Sequence, residues 1–449
     1  MTKDARLSPA PAPVAPAIEG LAARDAAVRL LRAVIDKWQP LDAALESDAA
    51  FAGLPPRDRA LARAIVATAL RRRGTIASIF TTLMAKPPAT SGALLRILEI
   101  AAAQLLFMGV PDHAAVSLAM EAVAADRAAR HYRGLANAVL RRIARERNAL
   151  LAAHASPAID TPPWLWQRWV AAYGEVTAIG IAQAHRLEPS LDISVKRDPE
   201  HWASELGGIV LPTGTVRTVA AGDVAALPGY TEGEWWVQDA AAALPARLFG
   251  NIAGKTVVDL CAAPGGKTAA LATAGASVTA VDISRRRLER LSANLKRLSL
   301  SAECIAADAL IWQPPAPVDA VLLDAPCTST GTIRRHPDVA WLKEPEDLAK
   351  LAALQIRMLD RAVAMLKPGG TLIYCTCSLE PEEGEAHLHP LLARQPLELQ
   401  PIVADEVAGL AEVVTGNGTL RTLPVHLPNA VARLSGLDGF FAMRLVRRG

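Results

Sequence analysis

The sequence predicts a multidomain protein, with an all-α N-terminal domain, a small α+β linking domain and a C-terminal α/β domain of Rossmann-like type built on a parallel, doubly wound sheet. Three observations predict it. Up to residue 148 apolar residues recur at helical spacing with almost no strand-like alternation. Between 155 and 230 clustered Pro, Trp and Gly interrupt shorter mixed segments. From about 232 short apolar strands alternate with helices. A chain of 449 residues exceeds one core of usual size, so several domains are expected. Its 51% apolar and 21% charged residues exclude a disordered chain.

Residues 1–19, with Pro-Ala-Pro-Val-Ala-Pro at 11–16, read as a flexible tail without the continuous apolar stretch of a signal peptide. In the helical domain, 20–150, Ala27, Leu30, Leu31 and Val34, then Leu61, Ala64, Ile65 and Leu70, mark buried helix faces. Breaks at Pro55-Pro56, Gly74, Pro87-Pro88, Gly109 to Pro111 and Gly134 cut it into six or seven helices. Its most apolar stretch, 94–110, is interrupted by Arg96, Glu99 and Gln104, so no membrane span is expected. Residues 1–150 hold 21 Lys/Arg against 13 Asp/Glu, within a chain whose net charge is only +3. Arg71, Arg72 and Arg73, and Arg141, Arg142, Arg145 and Arg147, are therefore expected to meet the phosphates of a polyanion such as RNA. The alternative is that they complement helix C-termini, an effect of roughly 0.3 to 1 kcal/mol each.

The linking domain, 151–231, opens with Trp164, Trp166 and Trp169, expected as packing anchors rather than base-stacking platforms. Strands are expected at Leu191–Val195 and Ile209–Val219, with Gly207-Gly208 between them and Gly214 interrupting the second.

In the last domain, 232–449, strands are expected at Thr256–Leu260, Ser277–Val281, Glu303–Ala306, Asp319–Leu323 and Thr371–Cys375. Helices are expected from Lys267, from Ser284 to Leu298 and from about 345 to 366. In such sheets ligands bind beyond the carboxyl ends of the strands. There lies Asp-Leu-Cys-Ala-Ala-Pro-Gly-Gly-Lys-Thr (259–268), a glycine turn that is neither the dinucleotide pattern nor a P-loop. Gly265 and Gly266 permit close backbone approach to a ligand, and the following helix offers free amides. Asp282 ends the next strand, where a carboxylate accepts ribose hydroxyls, and Asp308 follows the third, placed for an adenine edge. Either aspartate alone also suits a helix cap. Acidic ends on successive strands favour S-adenosylmethionine over a dinucleotide.

Five cysteines, 261, 304, 327, 375 and 377, form no paired framework, against a disulfide scaffold or a structural zinc site and consistent with a reducing cytoplasm. Cys304 and Cys375 read as buried small hydrophobes. Cys327, in Asp-Ala-Pro-Cys, and Cys377, in Tyr-Cys-Thr-Cys-Ser, stand in polar turns after adjacent strands. Thiols beside a methyl donor suit methylation of a pyrimidine at carbon 5. Thiolate addition to carbon 6 makes carbon 5 nucleophilic, and a base then removes the carbon 5 proton so that the thiol leaves. The attacking thiol must ionise, and at an unperturbed pKa of roughly 8.5 only a few per cent does so near neutrality. Asp324 is expected to hydrogen-bond or protonate the cytosine N3 and so stabilise the charge developing on the ring.

The strings DLCAAPGGKT (259–268), DAPCTSTGTIRRHPDVAW (324–341), YCTCSLEPEEGE (374–385) and LDGFFAMRL (437–445) closely resemble the RNA cytosine-5 methyltransferases of the Sun/Nop family. RDRALARAIVATALRRRG (57–74), PDHAAVSLAMEAV (111–123) and RGLANAVLRRIAR (133–145) resemble the NusB-type RNA-binding domain fused to the family's bacterial ribosomal-RNA member. The resemblance covers nearly the whole chain except its first 20 residues. It implies a class I S-adenosylmethionine-dependent methyltransferase domain, Cys377 as nucleophile and Cys327 as the residue that assists release of the methylated RNA. It also implies cofactor contacts from Cys261, Ala262, Ala263, Pro264, Gly265, Gly266 and Lys267, with Asp282, Asp308 and Asp324, and no metal. Arg334, Arg335 and His336 are expected to steer the target strand. The motif after Cys327 departs from the family, reading Thr-Ser-Thr-Gly where Ser-Gly-x-Gly is usual, and Cys375 stands where a small residue is common. The expectation is a cytoplasmic monomer acting on 16S rRNA, without membrane or DNA partners. The competing readings are another RNA substrate such as tRNA, and a non-catalytic NusB-type RNA-binding or antitermination protein.

Overall fold

The structure, a computed structural model, describes residues 20–85, 92–219 and 222–449. The expected tail and the break at Pro87-Pro88 lie outside the described residues. The described residues divide into two compact units, one comprising 20–69, 80–85 and 92–151, the other 70–79, 152–219 and 222–449.

The described part of the first unit is helical. Its longer helices are Leu21–Lys37, Pro56–Arg71, Ala93–Phe107, Asp112–Ala125 and Arg133–Ala153, with short helices Leu41–Ser47 and Ala49–Ala52 between the first two. Ala93–Phe107 is buried on nearly every side, as its apolar sequence requires. The charges that interrupt it pair inside the core: Arg96 Nε lies 3.2 Å from Asp36 Oδ1, and its Nη1 donates to Glu99. Pro55-Pro56 and Gly109 to Pro111 do separate helices. Gly74 and Gly134 instead fall in the first turns of Arg73–Leu83 and Arg133–Ala153, where amides have no intrahelical acceptor to lose.

In the second unit, a four-stranded antiparallel sheet has the order β2-β3-β1-β4, with β1 Leu191–Val195, β2 Ile209–Val210, β3 Val216–Thr218 and β4 Trp235–Val237. The expected strand Ile209–Val219 is thus split into a hairpin, closed by Leu211 N donating to Thr215 O at 2.8 Å. Ile193, Ala203, Leu206, Val216 and Trp235 form its core. Trp169 is buried, and Trp164 and Trp166 pack on the same cluster, as anchors do.

The eight-stranded sheet comprises β5 Thr256–Leu260, β6 Ser277–Asp282, β7 Glu303–Ala306, β8 Val318–Asp324, β9 Leu366–Thr376, β10 Leu397–Leu399, β11 Leu420–Thr422 and β12 Phe440–Arg447. Its order is β10-β12-β9-β8-β5-β6-β7, with β11 also on β12. The segment β7-β6-β5-β8-β9 is parallel, as expected of a Rossmann-like domain. β10, β11 and β12 are antiparallel additions that correct the purely parallel reading. The run Phe440 to Leu445 is buried throughout, so it fits only inside a sheet covered on both faces, and an antiparallel return needs no crossover helix. Chain order reverses between β5 and β8, the switch point at which such sheets open a crevice. Among the described residues no helix is long and apolar enough to cross a membrane, and no group of three or more His, Cys, Asp or Glu is placed to hold a metal ion.

Candidate active site

Beyond Leu260 the chain turns at once. Cys261 adopts a left-handed φ of 60°, and the amides of Ala262 and Ala263 donate to Val281 O at 3.1 Å and Asp282 Oδ2 at 3.2 Å. Pro264 follows, and Gly265, at φ 101°, caps the helix Gly266–Thr273. A Cβ on Gly265 would lie 2.6 Å from Leu291 Cγ, so conformation and space both demand glycine. The loop Cys261 to Lys267 is thereby tied across the ends of β5 and β6. Asp282 also accepts from Ser284 N at 2.9 Å, and Asp308, two residues past β7, accepts from Leu310 N at 2.9 Å. Each aspartate therefore braces its own turn while standing at a strand end.

Asp259 was not singled out from the sequence, although a carboxylate within Thr-Val-Val-Asp-Leu is the available signal. Its Oδ2 accepts from Thr268 Oγ1 at 2.6 Å, while its buried Oδ1 has no hydrogen-bond partner among the described residues. Burial pushes its carboxyl up to about 7, against the lowering effect of the Thr268 hydrogen bond. The folded state thus retains a proton that the unfolded state loses above about pH 4. The resulting stabilisation is complete below that pH and is lost as pH rises through 7. Asp259→Asn keeps an acceptor for Thr268 and cannot ionise, so it is expected to flatten this decline in urea unfolding measured from pH 5 to 8. An unchanged decline would assign the effect to other groups.

Lys267 lies in the first turn of its helix, over the Phe440 ring at 4.8 Å, and its Nζ donates to Asp324 Oδ2 at 2.8 Å. Burial alone would lower its ammonium, but Asp324, with the thiols of Cys375 and Cys377, outweighs burial and holds it above its ordinary value. Cys375 is buried, as expected, with Sγ 3.6 Å from Asp324 Oδ1.

The central feature is the approach of Cys327 Sγ to Cys377 Sγ at 3.5 Å. The two residues are 50 apart in sequence and partly exposed. β8 and β9 pair in parallel with Asp324 opposite Cys375, so the thiols follow neighbouring strand ends. The hydrogen bond shared with Cys327 lowers the Cys377 thiol; burial and Asp324 oppose it, while Ser329 and Lys267 assist. The same bond, then burial and the charges of Cys377 and Glu383, raise Cys327 well above the ordinary thiol value. The two thiols titrate as a pair, within which these contacts favour the charge on Cys377 and the proton on Cys327.

The loop after Cys327 is held from three sides. Glu383 accepts from Thr328 N at 2.9 and 3.1 Å; Gln355 Nε2 donates to Pro326 O at 2.8 Å and to Glu383 at 3.1 Å; and Gly331 N donates to Cys377 O at 3.0 Å. A Cβ on Gly331 would lie 1.8 Å from Gly439 O, which explains the last glycine of the motif. Ser329, where the family carries glycine, adopts φ 60°, so the departure preserves the left-handed turn. Glu383 and Gln355 were missed because their role appears only once the loop is folded.

Three expectations are corrected. Arg334 and Arg335 do not form an open basic loop. Arg334 is buried against Asp239 (2.8 Å) and Asp438 (2.5 Å), and Arg335 bonds the same two carboxylates at 2.5 and 3.2 Å, with Asp192 at 3.4 Å. His336 N donates to Thr332 O within the same turn. Arg71 Nη2 donates to Arg334 O at 2.9 Å, Arg72 lies 3.6 Å from Asp160, and Arg73 stacks on Trp341 at 4.9 Å. These three arginines are engaged inside the second unit, and burial lowers Arg71 to about 10 despite the charge of Glu188. Arg142 and Arg145 are exposed but share Glu146 at 2.9 and 2.8 Å, and Arg147 pairs with Asp112. Finally, Cys304 is exposed, because β7 is the edge strand of the sheet.

Residues 250–446 match the family described as 16S rRNA methyltransferase RsmB/F, and residues 21–145 match the NusB family. Ribosomal RNA small subunit methyltransferase B of Vibrio cholerae is 37% identical, over 83% of this chain and 89% of that protein. Its namesake in Cronobacter sakazakii is 33% identical, over 95% and 98%. The crystal structure of PH0851 shares the fold, with a TM-score of 0.73 at 24% identity, over 96% of this chain and 99% of that one. The chain belongs to the RsmB/F family of 16S rRNA methyltransferases, and it is an S-adenosylmethionine-dependent RNA methyltransferase with a NusB-type helical domain.

Proposed function

We propose that the protein methylates carbon 5 of a cytosine in 16S rRNA through a covalent bond between Cys377 and carbon 6. The observation that carries this reading is the pair of thiols 3.5 Å apart, with the Lys267–Asp324 ion pair beside them. We assign residues 20–150 to a NusB-like RNA-binding domain, 151–231 to the linking domain and 232–449 to the methyltransferase domain, in a cytoplasmic monomer.

Cys261, Ala262, Ala263, Pro264, Gly265, Gly266 and Lys267, with Asp282, Asp308 and Asp324, would hold S-adenosylmethionine. The residues present fit it: the loop is tied across the strand ends beside the two aspartates, and Ile283 and Ile311 near them are 74% and 77% exposed, offering apolar surface for an adenine ring. When bound, the cofactor supplies an electrophilic methyl group.

The target base must leave its stack to reach these side chains. Asp324 would take up a proton with the substrate and donate it to N3, and the Lys267 cation beside it favours the carboxylate left behind as the ring takes up charge. Cys377, as thiolate, forms the bond to carbon 6 and makes carbon 5 nucleophilic. Once carbon 5 carries both hydrogen and methyl, the proton must leave before the Cys377–carbon 6 bond breaks. Once Cys377 is bonded to carbon 6, its charge no longer holds the Cys327 proton. Cys327 then gives that proton to solvent and, as thiolate, accepts the carbon 5 proton so that the Cys377–carbon 6 bond breaks.

Bisulfite sequencing of RNA from cells with and without the gene tests the assignment. One 16S rRNA cytosine is expected to lose protection in the deletion strain and regain it with the wild-type gene but not with Cys377→Ala. Loss of protection in a tRNA instead would overturn the substrate, and no change at any cytosine would overturn the position.

A further inference from the structure

We propose that Cys327 and Cys377 are also a modification site, oxidised by peroxide to a reversible intramolecular disulfide that disables the enzyme. The geometry selects this pair. Their sulfurs are 3.5 Å apart, and a bond of about 2.05 Å requires side-chain rotation rather than rearrangement of the loop. The backbones are already fastened together, since Gly331 N donates to Cys377 O at 3.0 Å and Ala325 N to Cys375 O at 3.0 Å. Both residues are partly exposed, which leaves the pair at the surface of the site rather than in the core. The other cysteines compete poorly: Cys375 is buried against Asp324, Cys261 is raised well above an ordinary thiol by burial and three aspartates, and Cys304, though exposed on the edge strand β7, is raised by partial burial and by the Glu303 charge.

The chemistry balances in two steps. The Cys377 thiolate attacks one peroxide oxygen, the O–O bond breaks, hydroxide leaves, and Cys377 becomes a sulfenic acid. The Cys327 sulfur then attacks the Cys377 sulfur, the S–O bond breaks, and hydroxide departs as water with the proton from Cys327. Each sulfur is oxidised by one electron, the peroxide is reduced by two, and a dithiol restores both thiols. That the disulfide inactivates the enzyme rests on the proposed function, because it removes the nucleophile and the release residue together; that it forms does not.

The test uses the full chain. The protein is treated with limiting hydrogen peroxide, its remaining thiols are alkylated, and peptides are mapped by mass spectrometry without reduction. The expected result is a cross-linked peptide joining Cys327 to Cys377, with methyl transfer down roughly tenfold or more and regained to within about twofold after dithiothreitol. In Cys327→Ser no such peptide forms, and Cys377 proceeds to sulfinic acid that dithiothreitol does not reverse. Recovery of both residues as alkylated thiols, or a disulfide from Cys377 to another cysteine, would overturn the proposal. A cross-link in a protein that never methylates RNA would instead overturn the functional reading and leave the modification site standing.

Discussion

Cys377→Ala is expected to abolish methyl transfer, by on the order of 10⁴-fold or more, and to leave no covalent protein–RNA species on a denaturing gel. Cys327→Ala is expected to retain attack and to accumulate that species. The asymmetry comes from the surroundings of two chemically identical groups. Cys377 accepts the hydrogen bond of its partner and lies near the Lys267 cation and Ser329, all of which favour its thiolate, whereas Cys327 faces the Glu383 carboxylate and retains its proton. Removing Cys377 deletes the group that attacks. Removing Cys327 deletes the group that allows release, so the enzyme stops with its product attached. Adduct in Cys377→Ala and none in Cys327→Ala would exchange the two roles.

Arg334→Ala is expected to destabilise the fold by about 3 to 5 kcal/mol, read as a fall in the urea midpoint. The loss arises from what is left behind. Asp239 and Asp438 are buried; burial would raise both, and it is Arg335 and Arg334 that hold Asp239 well below the usual carboxylate range. Burial and the charge of Asp239 do raise Asp438. With one guanidinium gone, the Arg334–Asp438 contact is lost and two neighbouring buried carboxylates share the Arg335 cation alone. Had Arg334 contacted phosphate, the substitution would lower the salt dependence of RNA binding by about one counterion and leave stability unchanged. An unchanged urea midpoint with a reduced salt slope would restore that reading.

The two arginine motifs show where reading along the chain stops. Arg71 to Arg73 and Arg334-Arg335 look like cationic surface, and nothing within ten residues of them reveals Asp160, Asp239 or Asp438 as partners. A charge pattern carries sign and spacing but not depth, and depth decides whether a guanidinium is a binding group or a structural one. Cys304 and Cys375 diverge for the same reason. One lies on an edge strand and the other in the middle of the sheet, a distinction of strand order rather than of local sequence.

What the sequence by itself determined is everything that connectivity alone enforces: the helical first domain, the succession of strand, loop and helix, the glycine turn after β5 and the acidic residues at successive strand ends. Each depends on neighbours a few residues away, whose φ preferences and apolar spacing act locally. The tertiary structure alone decided that Cys327 and Cys377 meet, that Glu383 and Gln355 brace the loop between them, that the closing apolar strand runs antiparallel and that the five arginines of those two motifs are engaged within the fold. These outcomes depend on which strands pair, in what register, and on which charges are sealed from water. Contacts across 50 to 100 residues are settled by the packing of the whole sheet.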